Sequence, residues 1–461
     1  MEHAAHLSDA APAAAQKHRM NVWQLTVLTA VNMMGSGIIL LPSKLAQVGT
    51  ISLLSWIVTA GGSLALAYAF ARCGMLSRKP GGMGGYAEYA FGKAGNYMAN
   101  YTYGLSLVIA NVAIGVTAVG YGTVLFDATL SPLQTGLWTI FLLVLTTVAN
   151  FGGSRITGRI GAVTVWGVII PVVVVSLIGW FWFSGATWGA AWNPNHMPFG
   201  PAVGSSIAVT LWAFLGLESA CANSDAVENP ERNVPIAVLG GTIASAIFYI
   251  VSTNVIAGIV PNAILAKSNA PFGIAFATMF TPTVGTIVTA LMVIACIGSL
   301  LGWQFTVAQV FKSSADVGYF LPVFARATRT GTPIVGMVIL LVAQVALALM
   351  TISPELSSQF QKIVDLAVVT NLVPYVMSMA ALITIQKVAK VPPGKALVTN
   401  VIAMVATAYS FYALFSSGEQ ALMLGGLCVF LGWTLFGFVS ARFYQMEVDA
   451  HVKEPGKSLQ A

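Results

Sequence analysis

The run LWAFLGLESACAN, residues 211–223, carries one carboxylate, Glu218, inside an otherwise apolar stretch. A charged carboxylate at bilayer depth costs about 2.5–3.5 kcal/mol even on lenient insertion scales, so an acid kept there marks an ion or substrate path. Its chemistry is that of a cation site: it can face an ammonium group or carry a proton. Gly216, Ser219, Ala220 and Ala222 surround it. Glycine lowers helix propensity by about 1 kcal/mol. Where such a helix unwinds, backbone carbonyls join the carboxylate as cation ligands. Beyond Glu218 the chain turns polar at Asp225, Glu228 and Glu231, as a segment leaving the membrane does.

A second interruption lies near the N-terminus. In VNMMGSGIILLP, Gly35, Ser36 and Gly37 break an apolar run and Pro42 follows. Lipid tolerates unwound backbone only where it faces protein or a cavity. Taken alone, Gly35 and Gly37 equally suit close helix packing. Other polar and aromatic groups within apolar runs are few: Tyr103, Ser106, Asn111, Trp212, Trp303 beside Gly302 and Gln304, and Trp433. An aromatic face near a buried acid suits an ammonium ligand through cation–π attraction. Each of these groups also suits packing, a helix–helix bridge or an interfacial belt. Asp365 lies three residues from Lys362, which reads as a local ion pair on one helix.

The elements that must position these groups follow from composition. The chain has 461 residues, 57% hydrophobic and 8% charged, against about 25% charged in soluble domains. This is an all-α polytopic membrane protein. Apolar windows place twelve spans near 23–42, 52–71, 96–124, 134–151, 160–183, 206–223, 236–260, 284–310, 334–352, 363–386, 397–416 and 420–441. Residues 1–20 read as a disordered tail without the order of a signal peptide, so the first apolar run is a retained span. Residues 21–442 form a single membrane domain and 443–461 a C-terminal tail.

Spans one and six, the two interrupted ones, lie five spans apart. Paired breaks at corresponding positions signal an inverted five-plus-five repeat with a site at the midplane. Repeat one covers about 23–183 and repeat two about 206–388, with spans eleven and twelve (397–441) added. An even count puts both termini on one side. Assigning that side to the cytoplasm places there all of the 21 Lys and Arg residues except Lys44, Lys267 and Lys362, as the positive-inside rule requires. The net charge of +6 is therefore mainly a topology signal, and nucleic acid is not an expected partner. Trp180, Trp182, Trp188 and Trp192 mark an outer aromatic belt.

Several function classes drop out. Cys73, Cys221, Cys296 and Cys428 lack metal-site spacing and read as reduced structural thiols. The five histidines lie in tails or a loop. The glycine-rich RKPGGMGGYAEYAFGK, residues 78–93, contains no phosphate-loop pattern, and no nucleotide domain is present, so ATP-driven transport is excluded. No paired acids, triad or metal cluster supports an enzyme, and no cofactor is expected. No channel filter is recognisable.

NMMGSGIILLPSKLAQVGT, GGMGGYAEYAFGK, WAFLGLESACAN, VENPERNVPIAVLGG and GSLLGWQFTVAQVFKSSADVGYF resemble the basic amino acid/polyamine antiporters of the amino acid–polyamine–organocation superfamily. The resemblance runs from about residue 20 to 442. It implies the leucine-transporter-like inverted-repeat fold, alternating access and an inner-membrane location. It also implies putrescine, ornithine and protons as the transported species. Sibling pairs, cadaverine–lysine and arginine–agmatine, remain alternatives, as do a purely proton-coupled importer and an amine sensor.

The resemblance also implies roles. Ser36 and Gly37 would hold the substrate carboxylate and Trp212 would stack on the substrate. Glu218, with Tyr103, would gate the inner path. Asn111 would meet the side-chain end of the substrate, and Trp303 matches the helix-eight tryptophan of the site. Glu88, Cys73 and Trp433 are secondary candidates. Phe436 stands where the resemblance leads one to expect tyrosine, which removes a hydroxyl there. A homodimer is compatible with this reading.

Overall fold

The computed structural model describes residues 21–79, 81–221, 227–328, 331–353 and 355–453. Every regular element among these residues is helical. In chain order these are α1 (Val22–Met33), α2 (Leu41–Val48), α3 (Ser52–Leu76), α4 (Met83–Leu125), α5 (Pro132–Ala149), α6 (Ser154–Thr164) and α7 (Trp166–Ile178). The short α8 (Gly185–Ala190), α9 (Phe199–Gly204), α10 (Ile207–Trp212) and α11 (Leu217–Cys221) follow. Then come α12 (Pro230–Ile259), α13 (Asn262–Leu265), α14 (Pro271–Met279), α15 (Pro282–Asp316), α16 (Ile334–Met350), α17 (Leu356–Val388), α18 (Pro393–Ser416) and α19 (Glu419–Lys453).

Among the described residues, nine helical stretches are long and apolar enough to cross a membrane, and three shorter apolar ones are Val22–Met33, Phe199–Trp212 and Ile334–Met350. Among the described residues the expected spans fall on helix, with the first and sixth interrupted. The chain is a multi-pass membrane protein. Two boundaries differ from expectation. α19 continues to Lys453, ten residues and more past the expected start of the C-terminal tail. α4 begins at Met83, because the loop before it folds into a short helix that joins the long one across a kink at Gly92 (φ 63°). The expected N-terminal tail and Asp225 lie outside the described residues.

Local chemistry explains the ends. Asn21 and Gln24 form a reciprocal capping box that starts α1, and Ser131 and Gln134 do the same for α5. Within the spans, hydroxyls bond back to the preceding turn, as Thr29 does to Leu25 and Thr102 to Met98. That satisfies these donors in an apolar setting. α4 is buried along most of its length and packs most extensively on α17 and α15. It is therefore the central post of the bundle, and α19 lies at its edge. Trp180, Trp182 and Trp192 are exposed, as a belt requires.

Asp365 is not held by Lys362. Its carboxylate accepts from Gln361 Nε2 at 2.7 Å, and its electrostatic partner is Lys44 on α2. A neighbouring helix outcompetes the local pair because Lys362 points outward while Lys44 is buried, its ammonium 5.6 Å from the centre of the Phe360 ring.

Candidate functional site

Both expected interruptions are real breaks. α1 ends at Met33; a 3₁₀ turn, Ser36–Ile38, precedes α2, whose first turn contains Pro42. α10 ends at Trp212 and α11 starts at Leu217, with Gly216 between them at φ +109°. Each helix end frees backbone groups from the i→i+4 ladder. The two breaks interlock. A Cβ on Gly37 would lie 3.2 Å from the Ala213 Cα, and one on Gly216 would lie 3.1 Å from the Asn32 carbonyl oxygen. Glycine is required at both points, at Gly37 for close approach and at Gly216 for the positive φ.

Glu218 sits in the first turn of α11, 5% exposed. Its Oε2 accepts from the Tyr375 hydroxyl at 2.6 Å and from the Gly216 backbone N–H at 3.0 Å. The Tyr103 side chain lies beside it. α4, α11 and α17 thus converge on one carboxylate. The orientation is local in origin: the turn at Gly216 directs its own N–H back at the side chain two residues on.

A cavity of about 40 Å³ opens beside this carboxylate. Asn32, Met33, Gly35 and Gly37 of the first break face Trp212, Leu215, Gly216 and Glu218 of the second. Ser106, Leu107, Ala110 and Ile114 of α4, Trp303 of α15 and Asn371 of α17 complete the wall. The Trp212 indole N–H has no hydrogen-bond partner among the described residues. A neighbouring cavity of about 360 Å³ shares Asn32, Gly35 and Trp303 with it and runs between α1, α6 and α15. A third, about 750 Å³, lies over α2, the end of α4 and the start of α17, with Gln47, Lys267, Asn269 and Glu355 in its wall.

The structure brings Gly37, Trp212, Glu218 and Trp303 to the central cavity, with Ser36 in the adjoining 3₁₀ turn and Tyr103 beside the carboxylate. Asn111 is fully buried and bonds Gln304 at 3.3 Å; it is not among the residues of the cavity wall. Cys73 is buried on α3, its thiol 3.8 Å from the Ser378 carbonyl. Trp433 is 47% exposed on α19, edge-on to Phe436, and does not reach the cavity because α19 is peripheral. Phe436 packs on Tyr97 at 5.1 Å between ring centres, so the missing hydroxyl falls at a packing contact between α19 and α4.

Glu88 belongs to a separate cluster. It pairs with Lys79 at 2.7 Å and accepts from Asn96 at 2.8 Å and from Tyr319 at 3.4 Å. Burial and the Glu88 carboxylate raise the Tyr319 hydroxyl above its ordinary pKa.

Sequence reasoning missed Asn371 and Tyr375. Asn371 accepts from Ser106 at 2.9 Å, and Tyr375 is the shortest contact to Glu218. Their signal was present in TNLVPYV: an amide and a phenol one helical turn apart, flanking Pro374, in an apolar span.

Two interlocked helix breaks around a buried carboxylate, inside a bundle of apolar helices, define a membrane transporter rather than an enzyme. The chain matches the model of the amino acid permease family over residues 20–443 and belongs to that family. It is 68% identical over 429 residues to the putrescine transporter PotE of Escherichia coli K12, covering 93% of this chain and 98% of the relative. It is 63% identical over 429 residues to the PotE of Haemophilus influenzae, covering 93% and 99%. To the cadaverine/lysine antiporter of E. coli K12 it is 34% identical over 378 residues, covering 80% and 84%.

Proposed function

We propose that this protein transports putrescine across the inner membrane, exchanging it for ornithine by alternating access and also taking it up with protons. One observation carries the reading: a single buried carboxylate, held by Tyr375 and the Gly216 N–H with Tyr103 beside it, lies between two interlocked helix breaks in a cavity shared with two tryptophans. The 68% identity to a putrescine transporter supports it. The sibling exchange of cadaverine for lysine has only the 34% relative behind it.

In this reading the nine long and three shorter apolar helices make twelve spans. α1–α2 and α10–α11 are the broken first and sixth helices of an inverted repeat, and both termini face the cytoplasm. The membrane domain is residues 21–442, in repeats of about 23–183 and 206–388 plus 397–441.

Glu218 and the indole faces of Trp212 and Trp303 receive the diamine common to both substrates. The amides at the Ser36–Gly37 break receive the ornithine carboxylate. Putrescine leaves that subsite empty. At about 10–15 Å³ per water, a 40 Å³ cavity holds about three waters, too few for a diamine with six heavy atoms. The walls must part for substrate to enter, and the interlocked breaks are the elements that move. One-for-one exchange of internal putrescine for external ornithine moves one positive charge outward. Glu218 is the group placed to carry the coupled proton.

The test is uptake of radiolabelled putrescine into proteoliposomes preloaded with ornithine, lysine, arginine or nothing. Acceleration by internal ornithine alone is expected. Equal uptake into empty vesicles under a proton gradient alone would rule out exchange.

A further inference from the structure

Two charged side chains of the bundle stand outside the central cavity wall: Lys44 on α2 and Asp365 on α17. Lys44 is 5% exposed, and its ammonium lies 5.6 Å from the centre of the fully buried Phe360 ring. Its electrostatic partners are Asp365 and then Glu355. Asp365 also accepts from Gln361 Nε2 at 2.7 Å. An ammonium and a carboxylate kept among apolar helices are costly, and such groups mark the paths of charged solutes.

Their places along the chain show which path. On one side, Lys44 lies between Gly37 of the central cavity and Ala46 of the 750 Å³ cavity. On the other, Asp365 lies between Leu356 of the large cavity and Asn371 of the central one. Both chain segments therefore carry their charge between the two spaces. The large cavity is of the size that small-molecule sites have, about 300–1,000 Å³. In the proposed orientation it opens to the outside. Its floor is shut: a Cβ on Gly120 would lie 3.0 Å from Leu356 Cδ2 and 3.8 Å from Asn269 Cβ. α2 is tied to the far wall, where the Ser43 hydroxyl donates to the Ser268 carbonyl at 2.7 Å and Gln47 Nε2 to the Ala266 carbonyl at 3.2 Å.

A passage opened from the large cavity to the central one must part α2 from α17 and so draw Lys44 away from Asp365. Stripping one partner from a buried charge leaves the other uncompensated, which is strongly unfavourable. A solute removes that cost only if it replaces both partners. The head group of an α-amino acid does so: its carboxylate answers Lys44 and its ammonium answers Asp365. A diamine answers Asp365 alone and brings a further positive charge towards Lys44.

We propose that Lys44 and Asp365 form an outer selectivity site for the head group of an α-amino acid, so that the outward-facing protein holds a diamino acid more tightly than a diamine. The proposal rests on the reading that this protein exchanges putrescine for ornithine. The outer face then gives up the diamine and keeps the amino acid.

The experiment measures half-saturating concentrations of labelled ornithine and labelled putrescine for uptake into right-side-out and inside-out membrane vesicles loaded with putrescine. Lys44→Met removes the partner of the carboxylate and keeps the length of the side chain. In right-side-out vesicles it is expected to shift the ornithine-to-putrescine ratio about tenfold against ornithine, as the loss of one hydrogen bond between charged groups implies. In inside-out vesicles the ratio should stay as in wild type. Lys44→Arg, which keeps the charge, should retain the wild-type ratio on both faces. Lys44→Gln provides the same readout as Lys44→Met if that protein does not fold.

A ratio unchanged by Lys44→Met on the outer face, with exchange by the wild type intact, would overturn the proposal alone. The same shift on both faces would mean that Lys44 only braces α2 against α17, and would overturn it equally. Wild-type vesicles from which external ornithine releases no putrescine would overturn the exchange reading, and the proposal with it.

Discussion

Glu218→Gln isolates the charge of the central carboxylate from its shape. In the native protein one oxygen, Oε2, takes both the Tyr375 hydroxyl at 2.6 Å and the Gly216 N–H at 3.0 Å. A glutamine amide oxygen can accept the same two bonds, so the turn at Gly216 and the contact with α17 survive. What disappears is the negative charge proposed to face the substrate ammonium. Hydrogen bonds to charged groups contribute about 1.5–3 kcal/mol, which corresponds to about a 10–150-fold loss of putrescine affinity. Tyr375→Phe keeps the charge and removes one orienting bond. A single bond contributes about 0.5–1.5 kcal/mol, so the loss should be about 2–12-fold. Binding of labelled putrescine to purified protein, with exchange in proteoliposomes alongside, gives both values. A Glu218→Gln protein within threefold of wild type in both assays would refute the assignment of the cation site. A larger effect from Tyr375→Phe than from Glu218→Gln would shift the role from the carboxylate to the phenol.

Gly216→Ala places a side chain at φ +109° with its Cβ 3.1 Å from the Asn32 carbonyl. It should cost about 1–3 kcal/mol and most of the transport, read as earlier thermal unfolding in detergent and slower exchange. Lys79→Ala removes one partner of a pair whose lysine is 39% exposed, and should change stability by under about 1 kcal/mol. Glu88→Ala should cost more, because it also strands the buried Asn96 amide; equal thermal shifts for the two variants would count against that difference.

By itself, the sequence determined the class of protein and the places where the chain must break. Hydropathy and the low charge content left no soluble alternative, since apolar surface on this scale has only lipid to face. Gly35–Ser36–Gly37 and Gly216 were legible as breaks because glycine weakens a helix locally, whatever surrounds it. Glu218 was legible because an acid in an apolar run is costly in any fold.

Only the tertiary structure decided which groups meet. Tyr375 and Asn371 lie more than 150 residues after Glu218, and no local pattern states that α17 packs on α4. Lys44, not the nearby Lys362, answers Asp365 because α2 folds against α17. Trp433 looked like Trp212 and Trp303 in composition, but α19 lies at the edge of the bundle. Gln344 was one glutamine in an apolar run until α16 brought it to Gln304. Propensity and hydropathy act over a few neighbouring residues. The pairing of buried polar groups is settled by helices that approach one another from distant parts of the chain.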